Sequence, residues 1–154
     1  MTDRNPNATR GNLLVIGYGN ELRGDDGVGI RVAGAVEDMD LSGVQVLACH
    51  QLTPELAEPV SEARMVVFVD AAVDGAPEVQ MRELKPAETG QIMAHVADPR
   101  TLLVLERDLF GHCPPAWWLT IPVERIDFSG NLSPLANRGL QNALARIQAL
   151  AEHL

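Results

Sequence analysis

Short apolar runs alternate with amphipathic stretches along this chain. Four runs, at residues 13–16, 44–48, 65–69 and 116–121, are apolar nearly throughout and have the length of buried strands. Between them, apolar residues recur at helical spacing, first at Val28, Val32, Ala35, Val36 and Met39. This alternation predicts an α/β domain with three layers, in which helices cover both faces of a mostly parallel sheet.

The predicted elements have recognisable boundaries. Thr53-Pro54, Asp98-Pro99 and Ser133-Pro134 each combine a capping side chain with a proline suited to the first helical turn. Gly111 is placed to end the helix that begins at Pro99. Residues 79–84 alternate between apolar and polar side chains, which predicts a half-exposed edge strand, whereas residues 65–69 are the best candidate for the central strand.

Composition limits the possible function classes. The 154 residues suffice for one domain at 13–154 behind a frayed tail at 1–12. A net charge of −9 argues against nucleic acid and anionic membranes as partners. The polar first dozen residues lack a signal-peptide core, no apolar run is long enough to span a membrane, and two cysteines make no disulfide framework. We therefore expect a cytoplasmic protein.

The stretch from Leu13 to Gly29, LLVIGYGNELRGDDGVG, predicts a buried strand, a tight loop and a helix start. Gly17 and Gly19 match two positions of a dinucleotide fingerprint, but Leu22 stands where the third glycine belongs. Asp25 and Asp26 open the predicted helix, which either could cap, and their charges would repel a phosphate. The loop is a poor anion site and a reasonable cation site.

Two other chemistries find weaker support. Cys113 beside His112 could suggest a thiol nucleophile, but no orienting partner is evident and two prolines follow. Cys49-His50 and His112-Cys113 lack the spacing with which paired ligands converge on zinc. A small buried thiol beside an ordinary histidine is the simpler interpretation of each pair.

A metal site is the stronger hypothesis. Asp26 follows the first strand, Asp70 ends the third, and His95 lies in the loop before a later helix. The predicted topology brings all three to one edge of the sheet, beside the switch point in strand order. Two carboxylates and an imidazole suit nickel or zinc with positions left open. The residues alone leave the alternative that Asp26 caps a helix, Asp70 caps a turn and His95 is an ordinary loop residue.

The segment GYGNELRGDDGVG resembles the opening signature of the hydrogenase maturation endopeptidases, which process the large subunit of nickel–iron hydrogenases. The resemblance continues through VFVDA at residues 67–71 and through His95, and it covers about residues 13–150. It implies a five-stranded sheet with one antiparallel strand and assigns Asp26, Asp70 and His95 as metal ligands and catalytic residues. Two departures, Cys49-His50-Gln51 after the second strand and Asp98 close behind His95, suggest a subgroup with its own hydrogenase partner.

The resemblance also implies the reaction. A short C-terminal extension would be removed from the large-subunit precursor after nickel insertion, with nickel supplied by the precursor and replaceable by zinc or cadmium. No separate nucleophile stands out, so we expect water to attack. We also expect the protein to act as a monomer. The alternatives are a non-proteolytic nucleotide- or metal-binding α/β domain, and a chaperone that binds the precursor without cutting it.

Overall fold

A computed structural model describes residues 12–73, 76–87, 98–124, 126–128 and 130–154. The strands are β1 (Leu13–Tyr18), β2 (Val44–Cys49), β3 (Met65–Ala72), β4 (Gln80–Leu84) and β5 (Ala116–Pro122). The α-helices are α1 (Val28–Asp38), α2 (Ala57–Glu62), α3 (Pro99–Phe110) and α4 (Pro134–Glu152). Single 3-10 turns, Gly24–Gly27 and Pro54–Leu56, lead into α1 and α2.

The five strands form one sheet in the order β2-β1-β3-β5-β4. All neighbours are parallel except β4, which pairs antiparallel with β5 at the sheet edge. The expected α/β fold, the central position of β3 and the antiparallel edge strand are confirmed. Because β2 and β3 lie on opposite sides of β1, the strand order reverses there, and the carboxyl ends of β1 and β3 flank the switch point.

Two hydrophobic cores pack against opposite faces of the sheet. One core joins α1 and α4 to side chains such as Val15, Val67 and Leu119. The other joins α2 and α3 to side chains such as Ile16, Val66 and Phe68. Successive residues of β1 and β3 alternate between the two cores, so both strands are buried on both faces and their sequences are continuously apolar.

Three local predictions need correction. Asp25 and Asp26 do not cap α1, since a 3-10 turn precedes it and no side chain bonds its first turn. Thr53 makes no capping hydrogen bond either. Asp70 does not end β3, because pairing with β5 carries the strand on to Ala72.

Other predictions fall on residues outside the described part of the chain. These are His95, the loop at 91–96 and nearly all of the predicted tail at 1–12. Within the described ranges, no helix is long and apolar enough to cross a membrane.

Candidate active site

The glycines of the β1 junction let three backbone segments touch. A Cβ on Gly17 would collide with the backbone of Gly29, and one on Gly29 would lie 2.5 Å from the carbonyl oxygen of Val69 in β3. Gly19 adopts φ +143, and a Cβ there would collide with the carbonyl oxygen of Asp26. These contacts press the turn before α1 against the ends of β1 and β3. The glycines therefore permit close backbone packing at this junction.

The two adjacent acids of this turn point in different directions. Asp25 is fully buried, and its carboxylate accepts hydrogen bonds from the backbone N–H groups of Glu124 (2.9 Å) and Ser133 (2.6 Å). The Ser133 hydroxyl donates a third bond at 2.6 Å while also accepting from the Ala136 N–H at the start of α4. Asp25 therefore fastens the turn to the segment that leads from β5 into α4.

Asp26 is only half-buried, and its charge acts on Asp70 in β3. Its Oδ2 accepts a hydrogen bond from the backbone N–H of Asn20 at 3.0 Å. The Asn20 side chain in turn accepts from the Leu22 N–H at 3.0 Å, which closes the loop between β1 and the turn. One carboxylate oxygen is thus oriented by the backbone.

Asp70 lies in the adjacent strand, close enough for the two acids to interact electrostatically. Burial raises the pKa of Asp70 to about 6, and the charge of Asp26 adds to the increase. The backbone N–H of the next residue, Ala71, donates a hydrogen bond to the Asp70 carboxylate at 2.8 Å, and this bond lowers the pKa of Asp70. A partly buried carboxylate whose ionisation is disfavoured in this way, with a second acid acting on it, favours a bound cation.

Tyr18, at the end of β1, borders the Asp70 carboxylate. Burial and then the Asp70 charge raise the pKa of the Tyr18 phenol well above its ordinary value. Neither the Tyr18 hydroxyl nor the Trp118 indole N–H completes a hydrogen bond of normal geometry within the described ranges. The phenol thus stands near the carboxylate as a buried donor, and the prediction from sequence missed it because an aromatic residue between two glycines reads as packing.

His95 lies outside the described residues, so its position is not part of this geometry. The chain is described again from Asp98, whose charge also acts on Tyr18. Asp98 caps α3 by accepting from the Arg100 N–H at 2.9 Å and pairs with the Arg100 guanidinium at 2.6 Å. The capping prediction is confirmed, and the amino end of α3 lies near the same edge as Asp70.

The cysteine–histidine pairs are not brought together. Cys113 precedes β5, at the edge of the sheet opposite the acids, and its thiol donates to the Leu103 carbonyl at 3.0 Å. Burial raises the pKa of both Cys49 and Cys113, which makes them poor nucleophiles. Both thiols are free, and no group of three metal-binding side chains occurs among the residues described.

His50 follows β2 and lines a cavity of about 370 Å³. Asn20, which holds Asp26, lines the same cavity. This shared cavity agrees with the expectation that His50 lies on the same edge of the sheet as the acids.

Solved structures supply an independent comparison. HybD, a hydrogenase maturating endopeptidase from E. coli, superposes with a TM-score of 0.72 at 19% identity over 92% of this chain and 93% of its own. The [NiFe] hydrogenase maturation protease HybD from Thermococcus kodakarensis gives a TM-score of 0.71 at 23% identity over 91% and 99%. The chain has the fold of the hydrogenase maturation endopeptidases.

A protein from Wolinella succinogenes, described as uncharacterized, is 29% identical over 92% of this chain and 97% of its own, with a TM-score of 0.60. No protein-family model and no curated protein sequence matches the chain. The fold resemblance spans almost the whole length of each of these structures, so the whole described domain corresponds to theirs.

Proposed function

We propose that this protein is an endopeptidase that removes the C-terminal extension of a nickel–iron hydrogenase large-subunit precursor. The observation that carries the proposal is that two carboxylates, Asp26 and Asp70, lie within electrostatic range of each other at the switch point of a maturation-protease fold. A site that raises the pKa of a carboxylate at a sheet edge is typical of functional positions.

The donor set fits a nickel ion that arrives with the substrate. A backbone N–H group orients one oxygen of each carboxylate. The Asn20 N–H donates to Asp26, and the Ala71 N–H donates to Asp70. Oxygen ligands together with an imidazole suit a borderline divalent ion, and we propose His95, three residues before Asp98, as that third ligand. Zinc or cadmium would take the place of nickel in such a site.

The protein's own residues would recognise and orient the metal-bearing segment of the precursor. Asp26 and Asp70 would bind the ion, and the buried Tyr18 hydroxyl would hold the Asp70 carboxylate in position. A bound divalent ion supplies Lewis acidity toward a carbonyl or a water molecule. Burial raises the pKa of both thiols, and Cys113 also lies at the opposite edge of the sheet from the acids, so water is the proposed attacking group.

The test is processing of a nickel-loaded precursor by purified Asp26→Asn, Asp70→Asn and His95→Ala variants. We expect each rate to fall roughly a hundredfold, since several kcal/mol of interaction with the metal is at stake. Asp38→Asn, an exposed acid on α1, is the charge-matched control and should cleave normally. A nickel-free precursor should be a poor substrate of the unaltered protein.

Two results would overturn the proposal. Near-normal cleavage by all three variants would remove the site assignment. A stable complex with the loaded precursor that leaves the extension intact would identify a chaperone instead. Calorimetric titration with nickel, zinc, cadmium and nucleotides completes the comparison, because nucleotide binding without a response to metals would favour the non-proteolytic alternative.

A further inference from the structure

In the part of the chain that the structure describes, the outer edge of β2 lacks the protection that exposed strand edges usually carry. β2 is the last strand on its side of the sheet, and among the described residues nothing pairs with its outer edge. Its sequence, VQVLAC, contains no charge and no proline. Edge strands are normally guarded by charges, prolines or bulges, because open backbone groups pair with any extended chain. An unguarded, six-residue edge is suited to accept a strand.

The hydrogen bonds to β1 establish which backbone groups of β2 are available. The carbonyl oxygens of Gly43 and Cys49 accept from β1 and the loop after it, at Leu13 (3.0 Å) and Gly19 (3.2 Å). Backbone direction alternates along a strand, so the odd-numbered residues of β2 face β1. Val46 and Ala48 therefore direct their N–H and C=O groups outward.

Two cavities lie along this edge on the side of α1. The lower one, about 200 Å³, is lined by Val44 and Val46 together with residues of α1 and the turn after it. The upper one, about 370 Å³, is lined by Ala48 and the loop after β1. Alternate side chains of an added strand would point to this face, spaced to meet first one cavity and then the other.

The described residues that line the two cavities carry charge of one sign. Glu37 and Asp40 line the lower cavity and Glu21 lines the upper one, whereas no lysine or arginine is among the described residues of either lining. The chain as a whole has a net charge of −9. Complementarity therefore favours an extended peptide with basic side chains over an acidic or neutral one.

We propose that the outer edge of β2 docks an extended basic segment of the protein that is processed, as an added strand beside the cleavage site. The proposal rests on the proposed function for the identity of the partner. The upper cavity supplies the link to the site, since it includes Asn20, whose N–H orients Asp26. A segment bound along β2 would therefore extend past the two cavities toward Asp26 and Asp70.

Peptide binding tests the edge without requiring catalysis. The probes are fluorescein-labelled peptides of five Val-Lys repeats and of five Val-Glu repeats, measured by fluorescence anisotropy. We expect the unaltered protein to bind the lysine peptide and not the glutamate peptide. N-methylation of every backbone nitrogen should abolish binding, because it removes the backbone donors of the added strand whichever direction that strand takes. Equal binding of both peptides, or no effect of N-methylation, would overturn the proposal.

The matched protein variants are Ala48→Pro and Ala48→Val. Proline removes the outward N–H of residue 48 without touching the ladder to β1, whereas valine keeps that group. We expect Ala48→Pro to weaken the affinity for the lysine peptide about tenfold, roughly the effect of one hydrogen bond, and Ala48→Val to leave it within about twofold. Equal affinities in two folded variants would contradict the proposal, and the N-methylated peptide decides if Ala48→Pro does not fold.

Charge reversal provides a second matched pair on α1. Glu37 lines the lower cavity, while its exposed neighbour Asp38 does not. Glu37→Lys should weaken binding of the lysine peptide severalfold at low salt, and Asp38→Lys should change it much less. Equal losses in both variants would indicate long-range attraction by net charge and would overturn the assigned surface.

Processing assays separate this proposal from the proposed function. With the loaded precursor, Ala48→Pro should raise KM about tenfold with little change in kcat, whereas Asp26→Asn should lower kcat. If no precursor is cleaved but the lysine peptide binds at the edge, the docking surface stands and the protease assignment fails. If the unaltered protein forms dimers and Ala48→Pro is monomeric, the occupant of the edge is a second copy of this chain. Peptide binding only after removal of residues 1–11 would identify the chain's own amino terminus, and either result would overturn the proposal.

Discussion

At the scale of single residues, two adjacent aspartates have separate tasks. Asp25 is fully buried and accepts three hydrogen bonds, whereas Asp26 is half-buried and accepts one from Asn20. The position of Asp26 could be predicted, because polar residues that follow a parallel strand gather at its carboxyl edge. The role of Asp25 could not, because its partners Glu124 and Ser133 lie 99 and 108 residues away in sequence.

This division predicts different effects of the same substitution. Asp25→Asn should lower the free energy of unfolding by about 2–3 kcal/mol, since the amide NH2 would oppose a donor in a buried, charge-assisted cluster. Asp26→Asn retains an oxygen for the Asn20 N–H and should cost less than about 1 kcal/mol. Urea unfolding at pH 7 measures both. Equal losses would mean that the two acids are not divided between stability and function.

At the scale of elements, the two ends of α3 could be predicted from the sequence, whereas a buried glutamate within it could not. Its start at Pro99, its cap at Asp98 and its end at Gly111 were predictable, because proline, an acceptor side chain and a glycine at φ 81 each act locally. Glu106, on the same helix, is fully buried with no hydrogen-bond partner for either carboxylate oxygen in the described part of the chain. A glutamate in a helix ordinarily faces water, so no local pattern marks this one.

Glu106 makes stability depend on pH. Burial raises its pKa to about 7, while the nearby His112 acts in the opposite direction. The unfolded chain therefore loses this proton at lower pH than the folded protein, and stability should decrease as pH rises from about 4.5 to about 7. Glu106→Gln should remove that decrease and raise the melting temperature at pH 8, whereas the exposed Asp108→Asn should not. Parallel pH profiles of Glu106→Gln and the unaltered protein would contradict this assignment.

At the scale of the whole molecule, the sheet could be predicted from the sequence, but the close backbone contacts between the sheet and α1 could not. The apolar runs predicted the four parallel strands, of which β1 and most of β3 are buried on both faces, and alternation at residues 79–84 predicted the antiparallel edge strand. The contact of Gly29 with the backbone of β1 and β3, and the extension of β3 beyond Asp70, arise only when the chain closes on itself. The sequence therefore predicted that Asp26 and Asp70 share one edge of the sheet, while the electrostatics at that edge depend on three-dimensional packing.

Assembly of this site should cost the molecule stability. Burial and the neighbouring Asp26 raise the pKa of Asp70 from 3.8 to about 6, so the metal-free protein should lose stability as pH rises across that interval. Asp70→Asn removes the carboxylate and should raise the free energy of unfolding at pH 8 by on the order of 1 kcal/mol, while cleavage is lost. Urea unfolding of metal-free protein at pH 4 and pH 8 tests this, with Asp38→Asn as the exposed control. If Asp70→Asn is the less stable protein at pH 8, the carboxylate contributes to the fold instead of being held there at a cost.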